Sequence, residues 1–102
     1  MDPTLDMLLK QLDNISCRSF RLAREVLEDP SRRKQNGEKA RLMKGELYQI
    51  SDELKAKSPD RYEPKRLDVS ESILDLNYAM EETPMVSLRL GQEMRAKKRT
   101  GA

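Results

Sequence analysis

Apolar residues recur along the first quarter of the chain on helical steps. Leu5, Leu8, Leu12, Ile15, Leu22 and Val26 alternate intervals of three and four, with Ser19 completing the row. These are heptad a and d positions, so they form one stripe along one side of a helix. Pro3 or Thr4 opens that helix and Pro30 follows its end, both ordinary boundary signals. Such a helix spans about 35 Å. Phe20, Ala23 and Leu27 lie off the stripe, so the second half of the helix is expected to touch a third element as well as one partner helix.

The pattern repeats with Ala40, Met43, Leu47, Ile50 and Leu54. Gly45 sits off this second stripe and costs about 1 kcal/mol relative to alanine. Pro59 closes the helix, because the residue before a proline avoids helical geometry. Two matched stripes on a short connection predict an antiparallel hairpin. Its second helix starts either at Asp29-Pro30, an N-cap followed by proline, or after a turn at Asn36-Gly37. In both cases the tip, SRRKQNGEK, is polar and cationic.

Residues 59–69 carry prolines and mixed charges and read as a linker between a 1–58 hairpin and a 70–102 segment. Within that segment, VSESILDLNYAMEE reads as a short acidic helix capped by Asp68 or Ser70. Ile73, Leu74, Leu76, Tyr78, Ala79 and Met80 give it a broad apolar face. A second helix restarts with Thr83 as N-cap and Pro84 at its first position. Val86, Leu90 and Met94 step by four, with Met85 and Leu88 beside them. The predicted fold is all-α: a long hairpin with a heptad-like seam, two shorter helices and a basic C-terminal tail.

Composition narrows the core. Hydrophobic residues make up 36% of the 102 and charged residues 37%, with one Phe, three Tyr and no Trp. Ordinary domains are nearer half apolar and a quarter charged, so the seam is thin and partners are expected to supply part of the stability. Leu5, Leu8, Leu12, Ile15, Phe20, Leu22, Val26, Leu27, Met43, Leu47, Ile50 and Leu54 are the expected packing and partner-interface residues. No stretch approaches the roughly 20 apolar residues that span a bilayer. The acidic start lacks the cationic region of a secretory signal. Cys17 is the one cysteine, which suits a reducing compartment. Together these point to a cytoplasmic or other intracellular setting, the interior of a viral particle included.

Net charge is only +2, but it alternates along the chain. Arg32, Arg33, Lys34, Lys39, Arg41 and Lys44 face a single anion, Glu38, between Ser31 and Lys44. From Asp68 to Glu82 there are anions and no cation. Arg95, Lys97, Lys98 and Arg99 then crowd the end. Two separate cationic clusters suit phosphate contacts, where each Lys or Arg that displaces a counterion adds salt-sensitive affinity. Few aromatics argue against stacking on single-stranded bases. Acidic protein surfaces would serve the same clusters, including the acidic helix of another copy in head-to-tail association.

Catalysis is not expected. Histidine is absent, which removes imidazole as base and as metal ligand. No glycine-rich phosphate loop occurs, and nothing in the pattern builds a cleft that would drive two carboxyl pKa values apart. No cofactor, metal or small-molecule substrate is implied. Cys17 lies opposite the seam, with only Arg18 and Arg21 near enough to activate a thiol. The function expected is a non-catalytic assembly subunit of a larger complex, such as a viral particle or ribonucleoprotein machine. Its partners would be other subunits and, through phosphate, nucleic acid. The alternative is a small helix-turn-helix-like DNA-binding regulator using residues 70–99. There Arg89, Gln92, Arg95 and Arg99 share a face, although the first turn, PMVSL, offers almost no base-reading donors.

Overall fold

The computed structural model describes residues 3–81 and 83–101, with side chains described for 4–81 and 83–98. Helix α1 spans Pro3–Glu28, α2 Arg33–Lys57, α3 Pro59–Tyr62, α4 Arg66–Met80 and α5 Leu88–Gly101. Single 3₁₀ turns occupy Pro30–Arg32 and Glu63–Lys65. Among the described residues there is no strand, so the protein is all-helical.

The junction between α1 and α2 forms at Asp29-Pro30. Asp29 is extended (φ −143°), and its carboxylate accepts from the Ser31 amide. Pro30 takes a first-turn position, where its missing N–H costs nothing. Asn36 and Gly37 therefore lie inside α2 and form no turn. The cations read as a hairpin tip mostly line the first three turns of a helix.

Two boundaries differ from the sequence reading. Residues 59–65, read as irregular, are helical turns, and α4 begins at Arg66. Pro59 ends α2 as expected, since Ser58 before it is extended (φ −153°), but it and Pro64 each sit in the first turn of a new helical segment. The Ser58 hydroxyl caps the first of these turns by accepting from the Arg61 amide at 3.3 Å. The last helix starts at Leu88 and not at Pro84. The Thr83 hydroxyl is used locally, accepting from the Met85 amide and donating to the Met85 carbonyl. Ser87 caps α5 instead, accepting from the Leu90 amide at 3.1 Å.

Helices α1, α2 and α4 pack around one core. Leu8, Leu12, Ile15, Leu22 and Val26 of α1 are buried with Ala40, Met43, Leu47 and Leu54 of α2 and Val69, Leu76 and Ala79 of α4. Each fully buried leucine among them (Leu12, Leu47, Leu54, Leu76) contributes about 2 kcal/mol of burial. The residues expected to meet partners are thus largely spent inside the chain. Leu5, Phe20, Leu27 and Ile50 are half-buried.

Serines complete the stripes where helices meet. Ser19, Ser51 and Ser72 are buried, and each donates to the carbonyl four residues earlier, Ile15, Leu47 and Asp68. That satisfies a buried hydroxyl within its own helix and keeps the contact thin. Among the described residues no buried side-chain nitrogen or oxygen lacks a partner. The molecule is elongated, 50 × 26 × 20 Å, with a radius of gyration of 14.6 Å. A compact chain of this length would have about 13 Å.

Candidate functional site

The cationic residues divide into those spent on the fold and those turned to solvent. Arg33 lies over the Tyr78 ring at 5.0 Å and donates to the Tyr78 carbonyl at 3.2 Å. Lys44 donates to the Asn77 side chain at 2.8 Å. Both tie α2 to the C-terminal turn of α4, so their charge serves packing. Arg32 is exposed, 3.8 Å from Asp29. Arg41 is exposed, 3.9 Å from Glu38. Lys34 and Lys39 are exposed on the early turns of α2.

At the other end of the sequence, Lys97 donates to the Leu27 carbonyl at 2.8 Å. This carbonyl belongs to the last turn of α1, where the helix dipole favours a cation. Arg24 of α1 bridges to Glu93 of α5 at 3.7 Å and to Glu28 at 3.5 Å. Helix α5 therefore runs along the second half of α1 and delivers its basic turns to the end of the molecule that holds the α1–α2 junction. Arg32 and Lys34 sit at that end, together with exposed Arg95, Lys97 and Lys98. The side chain of Arg99 lies outside the described residues. Two clusters some sixty residues apart in sequence thus share one pole.

Beneath α5 lies a polar clasp that sequence reading missed. Asp75 of α4 has no exposed surface. Its carboxylate accepts from the Ser87 hydroxyl at 2.5 Å and from Arg89 Nε at 2.7 Å, with Arg89 Nη2 at 2.6 Å. Arg89 also donates to the Ser16 hydroxyl at 3.2 Å and the Ser16 carbonyl at 2.9 Å, and its guanidinium lies 5.1 Å from the Phe20 ring centre. One arginine so joins α1, α4 and α5. Burial pushes the Asp75 carboxyl above its ordinary value; the Ser87 hydroxyl and Arg89 pull the other way without cancelling it. The signal was the spacing of an aspartate and an arginine on two helices, which charge counting merged into an acidic run and a basic run.

This clasp bears on two readings. Asp75 is buried and Glu71 lies 3.9 Å from Arg89, so neither of these two acids is open to another copy's tail. Arg89, first of the four residues proposed to enter a major groove, is held against Asp75. Gln92 and Arg95 remain exposed.

On the side of α1 and α2 away from the clasp runs an open groove. Its floor is Ile15, Leu22, Met43 and Ile50, and its rims carry Lys10, Arg18 and Arg21 from α1 and Lys39, Glu46 and Glu53 from α2. Cys17 is exposed on α1. Among the described residues, no group of three or more Cys, Asp or Glu is placed to hold a metal ion. No helix among them is long and apolar enough to cross a membrane.

Comparison with protein-family profiles, curated proteins and solved structures finds no match to this chain. The reading of its function therefore rests on the pole, the clasp and the groove.

Proposed function

We propose that this protein is a non-catalytic assembly subunit. It is built on an antiparallel α1–α2 hairpin braced by α4 and α5, docks against other subunits through its helical faces, and holds nucleic-acid phosphate at its cationic pole. The observation that carries this reading is the bond from Lys97 to the Leu27 carbonyl. It gathers the tail cations and the junction cations at one end of the molecule, some sixty residues apart in sequence. Lys34 and Lys98 are exposed there, and their ammonium groups are suited to displace counterions from a phosphate backbone. Contacts of this kind position a protein on a strand without reading sequence.

The test is binding to a duplex of arbitrary sequence, followed by fluorescence anisotropy across a salt series. Affinity should fall steeply with salt and be indifferent to sequence. Lys34→Ala and Lys98→Ala should each lower the magnitude of the log–log salt slope by about one. A preferred sequence that survives bulk competitor would favour the regulator built on residues 70–99. An acidic polypeptide that displaces the duplex at equal charge would move the pole's target to a protein surface.

A further inference from the structure

The rims of the α1–α2 groove are complementary in charge, level by level. Lys10 and Glu53 line one stretch, Arg18 and Glu46 the middle, and Glu25 and Lys39 the other end. At these three levels the sign on α1 is opposite to that on α2, and Arg21 of α1 lines the groove beside Leu42 of α2. Among the described residues no ion pair crosses the groove: the salt bridges lie elsewhere. Arg18 reaches only Asn14 on its own helix, at 3.4 Å. Glu25 Oε2 accepts from Asn36 at 2.9 Å. Leu42, 71% exposed, stands on the rim beside this charge array. An apolar floor between charged rims is the layout by which coiled helices choose a partner and its direction.

From this juxtaposition we infer that the groove is the contact surface for a second copy of this chain, related by a twofold axis running along the groove. Such an axis lays α1 of one copy over α2 of the other, antiparallel to it and at the same level. Lys10 then meets the other copy's Glu53, Arg18 its Glu46 and Glu25 its Lys39, and each contact occurs twice. Leu42 covers the other copy's Leu22. A twofold across the groove would instead set α1 on α1 and bring Arg18 towards like charge. The twofold along the groove is therefore selected by repulsion as well as by attraction. Helices α4 and α5 stay on the outside, which leaves a cationic pole from each copy at the same end of the pair. The inference deepens the assembly reading above by naming the partner.

Sedimentation equilibrium of the nuclease-treated full chain tests it. The wild-type protein should reach twice its 11.8 kDa mass. Arg18→Glu alone and Glu46→Arg alone each place like charges in both copies of the central contact, and should weaken dimerisation by at least about tenfold. An equimolar mixture of the two variants should recover the dimer, because Glu at 18 in one chain then meets Arg at 46 in the other, and the wild-type pair forms at the second contact. Charge pairs acting within one chain would show no recovery on mixing. Lys10→Glu mixed with Glu53→Lys repeats the design at exposed positions, with far-UV circular dichroism confirming that each variant folds. A wild-type monomer assigns the groove to a different protein and overturns the inference, as does a dimer indifferent to both reversals, a mixture that stays monomeric, or a dimer lost on nuclease treatment. A monomer that still binds duplex in a salt-sensitive way sinks the inference alone. A dimer without duplex binding sinks the phosphate reading alone.

Discussion

Replacing Arg89 by methionine keeps an unbranched stem and removes the guanidinium, which isolates the clasp. Asp75 would lose contacts at 2.6 and 2.7 Å and keep only the Ser87 hydroxyl. Removing one partner of a buried pair costs about 3–5 kcal/mol. The Arg89 side chain is 25% exposed, so water already screens part of the pair, and a loss of about 3 kcal/mol is expected. For a domain of this size that lowers Tm by at least about 12 °C. The pH dependence supplies the sharper readout. Burial holds the Asp75 carboxyl above 3.8, so between those two values the folded state binds more protons than the unfolded one. Stability from this group is therefore full below the unfolded value and declines as pH rises through the folded one. Arg89 opposes that upward shift; without it the folded value rises further and the window extends towards neutrality. Thermal melts by circular dichroism at pH 7.5 and 5.5 should show the variant gaining stability on acidification. A variant within about 3 °C of wild type, or one flat or falling between those pH values, would refute the account of the clasp.

Other outcomes follow from single residues. Asp29 is held below its ordinary value chiefly by the Ser31 hydroxyl; its contribution is present above 3.8 and lost as pH falls through the folded value, so Asp29→Asn should flatten the acid limb of Tm between pH 4.5 and 2 while keeping the cap. Leu76→Ala, at a fully buried position, should cost about 3 kcal/mol in urea unfolding, whereas Leu67→Ala, largely exposed, should stay within about 0.5 kcal/mol. Gly45→Ala should raise stability by about 1 kcal/mol, because the added methyl meets nothing within 4 Å in the interior of α2; an unchanged urea midpoint would contradict that reading.

The periodic features of the fold were legible because they repeat. Leu8, Leu12, Ile15, Ser19, Leu22 and Val26 are all buried, as their spacing on α1 requires. The overflow at Phe20 and Leu27 meets α5, through Arg89 above Phe20 and Lys97 at Leu27, and Ala23 is buried between them in sequence. Boundaries were less legible where proline occurs. Pro59 ends α2 as its position requires, but a proline is also at home in a first turn, so the segment from Pro59 to Lys65 winds into helical turns and not an irregular linker. Thr83-Pro84 carried a valid start signal that lost to Ser87, whose hydroxyl also reaches Asp75 and so gains a second partner. For the pole, sequence supplied both clusters but not their meeting, which depends on the direction α5 takes after residue 87. Arg33 and Lys44 looked like free charge because a cation's neighbour across helices leaves no mark in linear spacing. Asp75 was hidden in the same way: among several acids on one helix, only packing selects the one that is enclosed.

The fastening of α5 has a consequence for motion. Among the described residues its grip includes the Arg89 clasp, the buried Leu90, and surface contacts at Glu93 and Lys97. The three-helix core below it shares a continuous apolar interior. Amide protons of α5 should therefore exchange with deuterium ahead of those in α1, α2 and α4, as a unit that opens while the rest stays shut. The basic tail would then ride on a hinged arm, able to lift off α1 and settle again without the core unfolding.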